Sequence, residues 1–202
     1  LSGGDGQDLL SGQAGADTLF AGVATAIDTL LGAGEAQGGS GQKGDWLDGG
    51  DGDDTLAGAA GNDLLLGGAG GDLLIGGGGD DTFYGDMSGS ATRNWSLTRE
   101  DRPVDDGIEH VVNISGGSVQ AALAGAADVL YGGAGDDWII AGQGDDLLDG
   151  GTGHDILWGQ DGDDVLLGQD GDDILAGDAG TNSGPGQGND TLMGGGGNDL
   201  LK

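Results

Sequence analysis

Large apolar residues recur along the chain at intervals of nine, each two places after an aspartate and shortly after a run of glycine. Over 49–84 the pattern is unbroken: GGDGDDTLA, GAAGNDLLL, GGAGGDLLI, GGGGDDTFY. A period this short decides the architecture before any other feature does. Counted from the first glycine of each unit, the aspartate holds position six and the large apolar residue position eight. Glycine permits positive φ and close backbone approach, so positions one to four predict a tight turn. Positions seven to nine alternate as a strand does, with eight on one face and seven and nine on the other. A strand of three residues has no stability alone. It must stack on copies of itself, which predicts a solenoid whose core is the column of position-eight residues.

The register runs through most of the chain. Units 3–11 and 12–20 open it. Units 21–31 and 32–48 have long starts but still end in Asp-x-Leu-x, with Asp28 and Asp45 in place. The stretch 85–127 is the one large interruption; within it HVVNIS predicts a strand and SVQAALAGA a short helix. DVLY resumes the pattern, five uninterrupted units fill 132–176, a shorter loop precedes NDTLM, and GGGGNDLLK follows. The count is about sixteen units. The core column reads Leu10, Leu19, Leu30, Leu47, Leu56, Leu65, Leu74, Phe83, Leu130, Ile139, Leu148, Leu157, Leu166, Leu175, Leu192 and Leu201. Every insertion returns to the same register, so 1–202 is expected to be a single domain with 85–127 inserted in it. Leu1 and Ser2 read as the end of a unit whose start is missing, so the chain is expected to be cut from a larger protein.

Charge changes the picture. The chain has 202 residues, 52 of them glycine, no cysteine, and a formal net charge of −31. Such a charge with few aromatics favours disorder, while the periodic leucines favour a fold. Together they predict a chain that stays unfolded until something neutralises it. Position six is always aspartate: Asp8, Asp17, Asp28, Asp45, Asp54, Asp63, Asp72, Asp81, Asp128, Asp137, Asp146, Asp155, Asp164, Asp173, Asp190 and Asp199. Stacked about 4.8 Å apart and ionised, these carboxylates repel strongly, so cations must lie between them. Turn-capping alone would not hold one register across long insertions. Oxygen donors in flexible turns suit Ca²⁺ better than Mg²⁺, which demands a near-ideal octahedron. No His or Cys cluster supports a transition metal. One buried leucine per unit cannot offset the ordering of nine residues, so folding is expected to be coupled to metal binding. The acids one place earlier (Asp53, Asp80, Asp136, Asp145, Asp163 and Asp172) are expected to be solvated and to attract cations at a distance.

The pattern G-G-x-G-x-D-x-U-x resembles the repeat of the RTX (repeats-in-toxin, haemolysin-type) calcium-binding nonapeptide family. The resemblance implies an all-β fold, a right-handed parallel β-roll with alternate repeats in two facing sheets, about eight coils and loop insertions. It implies Ca²⁺ ions between stacked turns, at most about fourteen, held by position-six carboxylates and turn carbonyls. Carbonyls at positions two and four carry over where the glycines match: Gly50 and Gly52, Gly68 and Gly70, Gly77 and Gly79, Gly133 and Gly135, Gly142 and Gly144, Gly151 and Gly153. Ala59, Gln160 and Gln169 depart from position two, and negative φ is the condition for keeping the ligand there. The resemblance further implies a module of a secreted bacterial protein, extracellular or at the cell surface. Type I secretion would export it unfolded, calcium would fold it outside, and its partners would be the flanking domains of the parent chain. A structural or adhesive array (surface layer, fibre or adhesin segment) is a second reading. An enzyme's auxiliary module contacting a glycan or polyanion is a third.

If repeats alternate between two sheets, one sheet presents Phe20, Trp46, Leu64, Leu66, Tyr84, Trp138, Ile140, Ile156 and Trp158 outward. Either the insertion 85–127 or a neighbouring domain covers this face, or it docks a protein or glycan through Trp46, Trp138 and Trp158. Five basic residues against this charge exclude nucleic acid as a partner. The absence of cysteine excludes a disulfide scaffold, and no apolar run is long enough to span a bilayer. No catalytic residues are assigned. There is no G-x-S-x-G elbow, the Asp-Asp steps recur in nearly every turn, and His154 is expected to face solvent at position five.

Overall fold

A computed structural model describes residues 1–3, 9–15, 18–20, 43–104, 107–121, 126–178 and 188–202. The expectations for Asp8, Asp17, Asp28 and Leu30 fall outside these residues. Alternate repeats enter two parallel sheets. One holds, in order, β1 (Leu9–Ala14), β3 (Lys43–Asp51), β5 (Asn62–Ala69), β7 (Thr82–Tyr84), β11 (Trp138–Gln143), β13 (Ile156–Asp161), β15 (Ile174–Ala176) and β17 (Leu200–Leu201). The other holds β2 (Thr18–Phe20), β4 (Thr55–Ala57), β6 (Leu73–Gly78), β10 (Val129–Ala134), β12 (Leu147–Thr152), β14 (Val165–Asp170) and β16 (Thr191–Gly196). The insertion forms an antiparallel hairpin of β8 (Met87–Val104) and β9 (Gly107–Ala121).

The ladder keeps the nine-residue register throughout. Leu47 pairs with Leu65, Leu65 with Phe83, Phe83 with Ile139 and Ile139 with Leu157. In the facing sheet Leu56 pairs with Leu74, Leu74 with Leu130, Leu130 with Leu148 and Leu148 with Leu166. These residues form one core between the sheets, buried from Leu10 to Leu175. It opens at the far end, where Leu192 is half-buried and Leu201 exposed.

Three features differ from the sequence expectation, and a fourth decides between alternatives it left open. First, most strands run to six residues, because pairing continues past position nine into positions one to three of the next turn, as in Gly133 opposite Gly151. Backbone groups there would otherwise lack partners. Second, β1 pairs directly with β3, and β2 with β4. The sheets hold eight and seven strands among the described residues. β2 and β3 lie in different sheets, so Phe20 falls in the sheet opposite Trp46. Third, Ser118–Ala121 continue β9 and are not helical, because each pairs across the hairpin, from Ser90 opposite Ser118 to Met87 opposite Ala121. Cross-strand pairing overrides a weak local helix preference.

Fourth, the apolar outer face is covered, which is the first of the two alternatives the sequence left. Trp46, Leu64 and Leu66 are completely buried, and Trp138 and Ile156 nearly so. Strand β8 lies across β3 and β5 and shields this face. Trp46 is therefore not a free docking residue. Trp158 stays half-buried beside Trp138, their rings edge to face with centroids 6.3 Å apart.

Candidate metal centres along the turn edges

Each position-six aspartate ends a turn and starts a strand, which places the aspartates in two columns, one at the edge of each sheet. One column runs Asp45, Asp63, Asp81, Asp137, Asp155, Asp173, Asp199, and the other Asp54, Asp72, Asp128, Asp146, Asp164, Asp190. Every step is a hydrogen bond. Asp63 Oδ1 accepts the N–H of Asp45 at 2.7 Å, Asp128 Oδ1 that of Asp72 at 2.7 Å, and Asp155 Oδ1 that of Asp137 at 2.9 Å. The insertion does not break the columns, since Asp81 N–H still reaches Asp137 Oδ1 at 2.7 Å. From Asp45 to Asp173 these residues are buried, while Asp190 and Asp199 are half-buried.

The second carboxylate oxygen is the informative one. Oδ2 of Asp72, Asp128, Asp146, Asp155, Asp164 and Asp173 is buried without a hydrogen-bond partner. Where position one is glycine, Oδ2 lies over it. A Cβ added at Gly67, Gly150, Gly159 or Gly168 would overlap Oδ2 of Asp72, Asp155, Asp164 or Asp173. Position-two and position-four glycines are equally constrained. Those carried over from the resemblance have φ between +103° and +133°. An added Cβ at Gly68 would overlap the Gly50 carbonyl oxygen, and one at Gly70 the Gly52 carbonyl oxygen. The same pairs recur between Gly77 and Gly133 and between Gly79 and Gly135. Turn carbonyls thus line each edge beside the carboxylate column.

The departures at position two resolve differently. Gln160 and Gln169 keep positive φ, +87° and +74°, instead of relaxing to negative values. The stacked turns above and below impose the conformation, at a cost of roughly 1–2 kcal/mol per residue. Ala59 does relax, and its N–H donates to Asp63 Oδ2 at 2.9 Å, occupying an oxygen that stays unpartnered in six other turns. Gln169→Gly should raise stability by about 0.5–1 kcal/mol net of glycine's greater chain entropy. Thermal unfolding of the calcium-loaded chain checks this. A lower midpoint would mean that the exposed bond from Gln169 Nε2 to Asp149 Oδ2 outweighs the strain.

Burial dominates the electrostatics. It pushes the Asp128 carboxyl up to about 8 and those of Asp63, Asp72, Asp146 and Asp155 up to about 7, against an ordinary 3.8. Asp164 rises to about 6 for the same reason. Backbone N–H donors pull each value back only partly, and neighbouring column members raise it further. Buried carboxyls with unpartnered oxygens are what a bound cation would relieve.

The position-five acids are exposed, apart from the half-buried Asp80, and they form a second, outer ladder running in the opposite direction. Asp136 Oδ1 accepts the N–H of His154, His154 Nδ1 that of Asp172, and Asp172 Oδ1 that of Asn198, at 2.8–2.9 Å. The Asn198 donors hold the Asp172 carboxyl below its usual range. Sequence reasoning treated these groups as merely solvated. The regular recurrence of Asp, Asn or His at position five was the available signal. Sequence reasoning also missed Asp86, which is buried at the root of the hairpin.

Among the described residues no three His, Cys, Asp or Glu side chains converge as a metal-binding group. Backbone carbonyls must therefore complete any site on these edges, which suits a large cation with flexible, oxygen-only coordination. Two stacked parallel sheets, with buried carboxylates and aligned carbonyls on both turn edges, define a metal-binding parallel β-roll. The RTX calcium-binding nonapeptide repeat matches residues 1–23, 37–74, 60–87, 124–157, 149–183 and 186–202, and the chain belongs to that family. No curated protein matches it. The chain is thus a Ca²⁺-binding RTX β-roll repeat module, and its buried carboxylate ladders have the oxygen donors calcium takes.

Proposed function

We propose that this module is a calcium-driven folding unit of a secreted bacterial protein, exported unfolded and folded on meeting calcium outside the cell. The reading treats 1–202 as one roll with 85–127 inserted, and assigns the ions to the position-six carboxylates and the carbonyls of positions two and four. One observation carries it. The same buried oxygen, Oδ2 of position six, is left without a partner in turn after turn, on both edges. A fold that stacks such groups needs a counter-ion at each step. Eleven carboxylate-to-backbone steps occur among the described residues, which sets about one ion per step as the ceiling. Burial of Trp46, Leu64 and Leu66 removes most of the surface on which an adhesive array would assemble.

Calcium titration of the metal-stripped chain, followed by far-UV circular dichroism and calorimetry, tests the reading. A cooperative coil-to-sheet transition with close to ten ions is expected. Uptake of one or two ions, or equal sheet content in excess chelator, would overturn it.

A further inference from the structure

The hairpin leaves the roll within a turn of the seven-stranded sheet's edge, between Asp72 and Asp146 in the column that also holds Asp128. Gly85 keeps position one of that turn, and an added Cβ there would overlap Asp128 Oδ2, as at other position-one glycines. Position two is Asp86, where intact turns have glycine, glutamine or alanine. Its backbone still joins the stack, with Asp86 N–H donating to the Ala141 carbonyl at 3.0 Å.

Its side chain does something no other position-two residue does among the described residues. In intact turns, the atom pressed against a position-two Cα is the carbonyl oxygen of the preceding turn, as with Gly50 on Gly68 and Gly133 on Gly151. At Gly142 that atom is Asp86 Oδ2, which also accepts the Gln143 N–H at 2.5 Å. The carboxylate thus stands where a turn carbonyl stands elsewhere. Oδ1 is buried with no hydrogen-bond partner, in a residue only 8% exposed. A cavity of about 110 Å³ lies alongside, lined among others by Tyr84, Asp86, Gly142, Gln143 and Gln160.

We infer that Asp86 is a cation ligand outside the repeat pattern: its carboxylate replaces the position-two carbonyl where the hairpin interrupts the roll, so a calcium site survives beside Asp128 and Asp146. A formal negative charge in place of a neutral carbonyl makes this site more strongly anionic than its neighbours in the column. The inference rests on the calcium reading above and deepens it at one turn.

The experiment compares calcium stoichiometry, by equilibrium dialysis with metal analysis, for the parent chain, Asp86→Asn and the exposed-acid control Asp170→Asn. The expected result is one ion fewer in Asp86→Asn, or a tenfold weaker ion, with the control equal to the parent. Equal stoichiometry and affinity in all three overturns the inference while leaving the calcium reading intact. A parent that takes up no calcium overturns both. Anomalous X-ray scattering from the calcium-loaded parent decides the point even if the variant fails to fold. A calcium peak about 2.3–2.6 Å from Asp86 Oδ1 supports the site, and its absence there overturns it.

Discussion

Stripped of divalent cations at pH 8, the chain loses its parallel-sheet circular dichroism, and acidification towards pH 4 brings sheet back. The cause lies in the columns. In the folded chain burial holds Asp128 up at about 8, Asp63, Asp72, Asp146 and Asp155 at about 7, and Asp164 at about 6, whereas the unfolded chain titrates near 3.8. The folded state therefore binds protons that the unfolded state releases between about pH 4 and pH 8. Stability from this source is complete below the unfolded value and disappears as pH rises through 6 to 8. One pKa unit corresponds to about 1.4 kcal/mol. Even discounted for solvent screening, several such groups together match the ~5–15 kcal/mol net stability of a typical domain. Calcium displaces these protons, so its apparent affinity rises over the same window. The measurement is far-UV circular dichroism of metal-stripped protein from pH 8 to pH 4, with sedimentation to confirm a monodisperse sample. Low and unchanging sheet content across that range would show that carboxylate charge is not what holds the stripped chain open.

Gly153→Ala destabilises the calcium-loaded roll by about 3–5 kcal/mol, combining backbone strain and overlap in one substitution. Gly153 has a φ of +133°, and an added Cβ would overlap the carbonyl oxygen and carbon of Gly135 in the stacked turn. Neither obstacle is a flexible side chain that can move aside. The turns would have to separate, and the carbonyls beside Asp155 would leave their alignment, so calcium binding should weaken as well. Thr152→Ala, one residue earlier and exposed, should stay within about 0.5 kcal/mol of the parent. Urea unfolding at saturating calcium, with ion counts for each variant, separates the two. Equal midpoints for Gly153→Ala and Thr152→Ala would mean that the turns are not in close contact.

The nine-residue period made most of the fold legible before any coordinates. It placed Leu47, Leu56, Leu65, Leu74, Phe83, Leu130 and Ile139 in the core, the resemblance divided them between two facing sheets, and the period carried the aspartate register across the insertion to Asp128. It could do so because each repeat has one solution: glycine where backbones touch, aspartate where the turn ends, leucine where the sheets meet. The residues the sequence misjudged lie where the repeat stops dictating its neighbours. Alternation put Phe20 on the same face as Trp46, yet β2 and β3 lie in different sheets, because strand pairing depends on which segments meet in space. For the outward apolar residues Trp46, Leu64 and Leu66 the sequence left two alternatives, cover or docking, and the path of β8 over β3 and β5 decides for cover. Gln160 and Gln169 hold positive φ because stacked turns on either side outweigh a local preference. Asp86 breaks the glycine pattern, and its role became visible only when the stack set its carboxylate against Gly142. The sequence alone determined the period, the core and the carboxylate columns, because these are local and repeated. Tertiary structure decided the strand count, the covered face and the non-repeat carboxylate, because each depends on contacts between segments that share no register.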